Sequence, residues 1–476
     1  MKNNNGQLEL HVLMADDINI AFHPPSLTLL KVGRQAAEVL EDYEKGQLPE
    51  EIAAQRGCSI DEVTTLLQQL SEQLDKQPDA TPIPIGPLSG TLTMVVSRDC
   101  NLRCKYCYAD GGAYQKERMR MSKDTALQAI DLFLNSKDGF RFQEIVFFGG
   151  EPTLNLPVIQ SVAEYVENLF ASGKIAHRPE MGMVTNGTRI TDEFCELVEK
   201  YGLQVTISLD GPPEVNDSLR FDVGGHGAFS AIAQGIRKLQ QATGGLEPRM
   251  IECTVTNKHL ESGMTYDFLV KYFIDTFGIR QHHIVPVCDW NESRLELSEA
   301  EAVEWETAMY TRFVEALAEG NLQVTKLGIR AVRMLNSKKF NPFLCIAGFT
   351  SITVDADGSI YPCYQLNNES CYMGHISEQD TLESNRFHDI VNAFVDNNKI
   401  NHPQCASCWV RPLCTGCFGH MYLRTGSPHG RVDEICNRRK IATETLLLDL
   451  VRLRTDEKKW QKAIQTAKAS SSLNSQ

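Results

Sequence analysis

Between residues 90 and 290, apolar strand-like runs alternate six times with amphipathic helical stretches, and this alternation constrains the fold more than any other feature. The strand runs are Leu92–Ser97, Glu144–Phe148, Gly182–Thr185, Val205–Leu209, Ile251–Val255 and His283–Val287. Helical periodicity fills most of the intervals, as in Ser122–Leu134, Ala228–Gln241 and His259–Phe277. Strand–helix–strand units join parallel neighbours through right-handed crossovers. Six of them predict an α/β fold with a parallel sheet curved into a partial barrel. Chemistry in such barrels sits at the C-terminal ends of the strands.

Directly after the first strand run stands Asp99-Cys-Asn-Leu-Arg-Cys-Lys-Tyr-Cys-Tyr108, with thiols at Cys100, Cys104 and Cys107. Three thiolates in so short a loop suit three irons of a 4Fe–4S cluster, whose full thiolate ligation takes four. The fourth iron is then open to a cofactor or substrate. A zinc knuckle or a set of buried thiols fits the spacing alone as well. The chain has 15 cysteines, and its start, Met1-Lys-Asn-Asn-Asn-Gly6, lacks the apolar core of a signal peptide. No apolar run has membrane-spanning length. These features predict a cytoplasmic protein, in which metal or cluster ligation explains the cysteines better than disulfides do. A net charge of -14 opposes binding to nucleic acid and to anionic membranes.

The C-x3-C-x2-C loop, with Tyr106 beside its third Cys, resembles the radical S-adenosylmethionine (SAM) superfamily. The resemblance implies that the open iron chelates the amino and carboxylate groups of SAM. One electron then cleaves SAM to a 5′-deoxyadenosyl radical. The second strand run ends in Phe148-Gly149-Gly150-Glu151-Pro152, which resembles the family's GGEP motif. Glycines let a ligand approach the backbone, and Glu151 offers acceptors to an ammonium group. Thr185-Asn186-Gly187 and Ser208-Leu-Asp210-Gly211, followed by Arg220, resemble the TNG and SLDG…R elements. Read alone, they are a β-turn and a capped helix start. The SAM contacts implied are Tyr106, Gly149, Gly150, Glu151, Thr185, Asn186, Ser208, Asp210 and Arg220. Which of Ser208, Asp210 and Arg220 touches SAM stays open. No catalytic acid or base is assigned.

Seven further cysteines follow a second pattern. Cys345, Gly358 and Cys363 come first, then Cys405, Cys408, Cys414, Cys417 and, after a gap, Cys436. Two zinc ribbons are one reading of such pairs. The full spacing resembles the SPASM domain, which holds two auxiliary 4Fe–4S clusters and brings the total expected to three. By resemblance, Cys405, Cys408, Cys414 and Cys436 complete one, and Cys345, Cys363 and Cys417 hold the other, nearer the active site. Two fully ligated clusters need eight thiolates and the motif supplies seven. Either the nearer cluster has an open iron, the reading favoured here, or Cys371 completes it. Cys58, Cys195, Cys253 and Cys288 fit no motif and read mostly as core thiols. Sulfatase maturases with this domain usually place Asp directly after the second of these cysteines. This chain has Tyr364, which puts formylglycine formation in doubt. The run Tyr361-Pro-Cys-Tyr-Gln-Leu366 looks more like thioether-forming enzymes of the ranthipeptide (SCIFF) and quinohemoprotein amine dehydrogenase maturation types.

Residues 8–80 begin with strand-like Leu8–Met14 and Ile18–Phe22 and continue with helical patterns at Arg34–Tyr43 and Pro49–Leu74. The second helical pattern breaks at Gly57-Cys58, and Ser59 is placed to cap its second half. This winged-helix-like unit resembles the RiPP recognition element, which binds a precursor's leader as an added strand. DNA binding is the rival reading, and the acidity of Leu48–Lys76 disfavours it. A Pro-rich linker, Gln77–Pro87, follows.

The expected architecture is therefore a partial (β/α)6 radical SAM barrel at 90–290, with an N-terminal winged-helix-like unit at 8–80. A helical bridge at 291–344 leads to a SPASM iron–sulfur domain at 345–445. A basic helical segment, Asn437–Ala467, overlaps the end of that domain, and the tail from Ala467 to Gln476 reads as disordered. The expected activity is thioether formation in a ribosomally made precursor peptide, with a flavodoxin or ferredoxin as electron donor. Carbon–carbon cross-linking, sulfatase maturation and a zinc- or DNA-binding regulator are the alternatives.

Overall fold

The computed structural model describes residues 8–83, 89–136, 141–288, 294–321 and 326–472. Among them, the six expected strands form one parallel series: Ser89–Ser97, Arg141–Gly149, Glu180–Thr185, Gln204–Ser208, Met250–Val255 and Gln281–Pro286. The first five strands carry buried apolar side chains at alternate positions, such as Ile251 and Cys253, which face the surrounding helices. The architecture is mixed α/β with a parallel sheet, as the alternation predicts.

The sheet does not end with the barrel. Ser351–Val354 pairs in parallel with the first barrel strand, from Ser351 opposite Thr91 to Val354 opposite Met94. Ser359–Tyr361 and Gly374–His375 then continue it antiparallel, giving nine strands in all among the described residues. The cysteine-rich C-terminal region is thus hydrogen-bonded into the barrel's own sheet. Its side chains are also tied to it. Arg98, at the end of the first strand, donates from Nε and Nη2 to Asp355 at 2.8 and 2.6 Å, and both residues are buried. Asp357 and Lys116 complete this ion cluster.

The N-terminal unit is a three-stranded antiparallel sheet, His11–Met14, Asn19–His23 and Thr28–Val32, packed by helices Arg34–Glu44, Pro49–Arg56 and Ile60–Leu74. The expectation of two strands misses the third, Thr28–Val32. A 3-10 turn at Pro24–Ser26 precedes it, and Leu27 reverses the chain at φ 50°. Ser59 caps the third helix: Glu62 N donates to Ser59 Oγ at 3.2 Å, and Ser59 N donates back to Glu62 at 2.8 Å. The first strand docks on the C-terminal half of the chain. His11 stacks on Trp409 at 3.8 Å and bonds Glu44 and Glu444. Asp17 accepts from both Nε and Nη2 of Arg452.

Three other expectations change. The helical stretch His259–Phe277 is two helices, Asn257–Glu261 and Tyr266–Phe277, because Gly263 turns at φ 71° and Thr265 caps a new start. The basic helical segment is likewise two, Asp433–Arg454 and Glu457–Ser472. The second of these carries helix through Ala467 into the tail read as disordered, and residues 473–476 lie outside the described residues. In the linker, Thr81–Pro82 pairs with Lys339–Phe340, and 84–88 lie outside the described residues. No helix among the described residues is long and apolar enough to cross a membrane.

Candidate active site

The loop carrying Cys100, Cys104 and Cys107 leaves the first strand at its C-terminal end and turns over the barrel mouth. Its thiols are mutual electrostatic neighbours. Burial pushes Cys100 up to about 12 and Cys104 up to about 11, the latter opposed by the Arg220 charge. Thiols held protonated in this way must lose their protons when they ligate iron. Leu102 N and Asn186 Nδ2 both donate to Cys100 Sγ, at 3.4 and 3.7 Å, so the sulfur already sits among hydrogen-bond donors.

The neighbouring strand ends gather the residues expected to hold SAM. Glu151 is fully buried. Its Oε1 accepts from Thr153 N, Thr153 Oγ1 and Thr185 Oγ1, and its Oε2 accepts from Asn186 N at 2.7 Å. The carboxylate therefore bridges the second and third strands and keeps acceptor capacity at Oε2 alone. Gly149 and Gly150 stand where the chain packs tightly. A Cβ on Gly150 would stand 2.4 Å from Asp99 O, and one on Gly149, at φ 138°, 2.2 Å from Ser97 O. The glycines let the end of the first strand and the start of the cluster loop pass close to the second strand.

Asp210 accepts from Thr254 N at 3.0 Å and from Tyr106 OH, and its carbonyl meets His259 Nε2 at 2.7 Å. Arg220 Nη1 donates to Tyr106 OH at 2.8 Å. Among the described residues, the Nε of this buried arginine has no partner. An unpartnered buried donor beside Cys104 suits a carboxylate ligand, which is the donor set that an amino acid cofactor chelated to the cluster requires.

Further along the sheet, Cys345, Cys363 and Cys417 are electrostatic neighbours, as are Cys405, Cys408, Cys414 and Cys436. Burial pushes Cys417 up to about 12 and Cys414 up to about 11. The second set lines one cavity together with Lys399, Arg411, Arg431 and Arg439, cations suited to a cluster of four thiolates. Among the described residues, no three His, Cys, Asp or Glu side chains are drawn together as a single metal ion requires. Cubane ligands stand around a cluster rather than a point. Cys371 is buried in an apolar group that includes Phe343, Leu366 and Phe394. Burial raises its pKa, its side chain bonds Ser370 and Asn368, and Cys345, Cys363 and Cys414 pack against the same apolar group. Cys195 and Cys253 are buried as expected of core thiols, whereas Cys58 and Cys288 are partly exposed.

Tyr364 lies against Phe148 of the second strand at 4.1 Å between ring centroids, with Tyr108 at 6.5 Å. It stands next to Cys363 and beside Tyr108, the residue after Cys107 of the first cluster loop. Sequence reasoning missed two features here. One is the Arg98–Asp355 cluster, which pairs residues 257 positions apart. The other is Glu252 and His283, polar positions on the fifth and sixth strands joined at 3.4 Å. Two polar side chains at the same register of neighbouring strands were the available signal.

Residues 94–248 match the model of the radical SAM superfamily, and residues 345–409 match the SPASM iron–sulfur cluster-binding domain. The chain is an enzyme with a radical SAM domain and a SPASM domain. A cysteine-type anaerobic sulfatase-maturating enzyme of Clostridium novyi is 24% identical over 352 residues, 69% of this chain and 88% of that one. An uncharacterized protein of Methanocaldococcus jannaschii is 28% identical over 294 residues, 61% of this chain and 90% of that one. Among solved structures, anSMEcpe with bound AdoMet superposes with a TM-score of 0.64 at 20% identity, covering 79% of this chain and 99% of that one, a likeness of fold.

Proposed function

We propose that this radical SAM enzyme is a peptide maturase that forms intramolecular thioether cross-links between a Cys sulfur and a carbon of a ribosomally made precursor. Tyr364 carries the reading. The position after Cys363 offers an aromatic ring packed on Phe148 instead of a carboxylate. Beside it, Cys345, Cys363 and Cys417 are electrostatic neighbours, with Cys288 also acting on Cys417, while the side chain of Cys371 bonds Ser370 and Asn368. Three protein thiolates leave one iron of a 4Fe–4S cluster for an external ligand, and a substrate thiolate is the ligand that thioether chemistry would present. Cys100, Cys104 and Cys107 would hold the first cluster. Glu151 Oε2 and Arg220 Nε are the groups with capacity left for the amino and carboxylate ends of SAM. When bound, SAM and its cluster supply a hydrogen-abstracting radical, and the protein orients the substrate toward it.

The N-terminal unit supports a leader-binding role. Among the described residues, Thr28–Val32 is an edge strand of its sheet, with backbone groups on one side free of a strand partner, and such edges accept an extended peptide.

A second reading is sulfatase maturation, favoured by the curated names of relatives such as the Clostridium novyi enzyme. One experiment separates the two. The reconstituted enzyme, SAM and dithionite are incubated with each short Cys-containing peptide encoded next to its gene, and with a Cys peptide carrying a sulfatase maturation site. Loss of two hydrogens with disappearance of the free thiol, dependent on residues 8–80, supports cross-linking. Formylglycine in the sulfatase peptide, unaffected by deletion of that unit, would establish the second reading instead.

A further inference from the structure

The fifth and sixth barrel strands carry a pair of side chains that neither the cluster cysteines nor the SAM constellation uses. Glu252 stands opposite Ser208 on one side and His283 on the other, in the parallel registers of strands four, five and six. Residues in register across parallel strands project to the same face. Ile251 and Cys253, which flank Glu252 in sequence, are fully buried on the opposite, helix-covered face. Ser208, Glu252 and His283 therefore form a row facing the barrel mouth, level with the end of strand four. Glu252 and His283 side chains are 33% and 53% exposed, so a substrate can reach them.

The facing wall belongs to the C-terminal domain. The Glu252 charge acts on the phenol of Tyr364, next to Cys363. His283 acts on the half-buried His420, three residues after Cys417 on the helix Phe418–Thr425. The pair thus lies between the SAM-side strand ends and the Cys345–Cys363–Cys417 set. His283 Nδ1 meets Glu252 Oε1 at 3.4 Å. In the tautomer that donates this hydrogen, Nε2 is left as an acceptor, and the carboxylate orients the ring.

We propose that His283, oriented by Glu252, takes the proton of the substrate thiol. This rests on the thioether reading above. A Cys side chain enters as S–H and ends as S–C, so its proton must leave. The transfer is redox-neutral: the S–H bond breaks, its electron pair stays on sulfur, and the proton goes to Nε2. An imidazole is the better acceptor at neutral pH, because its ordinary pKa lies nearer to that of a thiol than a carboxylate's does. His283 is the catalytic residue, and Glu252 is a positioning residue.

The test uses H283Q and E252Q in the full-length, cluster-loaded enzyme, with the Cys peptide that the wild type cross-links. Cross-link formation is expected to fall about 100-fold in H283Q, the usual scale of a lost general base, and less in E252Q. Peptide binding by calorimetry, the cluster EPR spectra and transfer of deuterium from labelled peptide into 5′-deoxyadenosine are expected to stay unchanged. That split between hydrogen abstraction and bond formation is one that a structural role would not produce. Cross-linking at the wild-type rate in both variants overturns the proposal. Loss of deuterium transfer in step with cross-linking also overturns it, placing the pair in the SAM site. A wild type that leaves every peptide thiol free refutes the thioether reading, and this inference falls with it.

Discussion

Replacing Arg98 with Met should loosen the joint between the barrel and the C-terminal domain. Arg98 is 3% exposed and Asp355 is fully buried, and two hydrogen bonds of 2.8 and 2.6 Å join them. Methionine fills much of the arginine volume, so the dominant effect is a stranded carboxylate. Removing one partner of a buried pair costs about 3–5 kcal/mol, mainly because the other charge stays buried. Lys116 Nζ remains 3.1 Å from Asp355 and offsets part of that cost, so a value near the lower end, about 3 kcal/mol, is expected. Arg98 also stands directly before Asp99 and Cys100, so the first cluster should be lost early in unfolding. The assay is urea denaturation of the reconstituted protein, followed in parallel by far-UV circular dichroism and iron–sulfur absorption. Two probes are needed because multidomain proteins with bound cofactors depart from two-state behaviour. A midpoint shift equivalent to less than about 0.5 kcal/mol, the range of ordinary surface substitutions, would refute the reasoning. R98M combined with D355L, which removes both charges, should recover most of the loss.

Three more outcomes follow from the same structure. Burial alone would raise the Asp357 pKa, but the hydrogen bond from Arg98 wins and lowers it. Its contribution is therefore present above the ordinary carboxylate range and lost as pH falls through the lowered value, which an acid titration of wild type against D357N should show. Burial pulls the His11 pKa down, yet Glu44 and Glu444 overcome this and leave it raised. Docking of the N-terminal unit is then strongest below the ordinary histidine value and weakens as pH rises through the raised one, measurable as faster hydrogen exchange around Trp409. Cys371→Ala should leave iron content unchanged while Cys363→Ala loses about one cluster's worth, roughly four irons per chain; iron and sulfide analysis after anaerobic reconstitution checks both.

The six barrel strands were legible because each combines a short apolar run with a polar end, and helical periodicity separates them. Their observed bounds differ from expectation by at most three residues at either end. The capping of Ser59 was legible because a capping box is local. Other features depend on partners far along the chain. Nothing near Ser351–Val354 announces that it will pair with Thr91–Met94. Thr28–Val32 is a strand only because Asn19–His23 lies beside it. Arg98 reads as an ordinary charge until Asp355 is brought to it. Within the candidate site, cysteine spacing located the ligands by number, but the use of Gly149 and Gly150 to pass the cluster loop needed coordinates.

The pairing of Ser351–Val354 with the first barrel strand bears on how such enzymes can be recombined. A modular view would exchange the cysteine-rich half for that of another maturase at a linker, as one exchanges beads on a string. Here the exchanged half brings its own edge of the sheet. A chimera has to reproduce the match of Ser351 with Thr91 through Val354 with Met94, because a slip of one residue turns every side chain of that strand to the wrong face. It also has to supply a carboxylate where Asp355 meets Arg98. Grafts cut between residues 340 and 350 without those two conditions should express as two folded halves that never share a substrate.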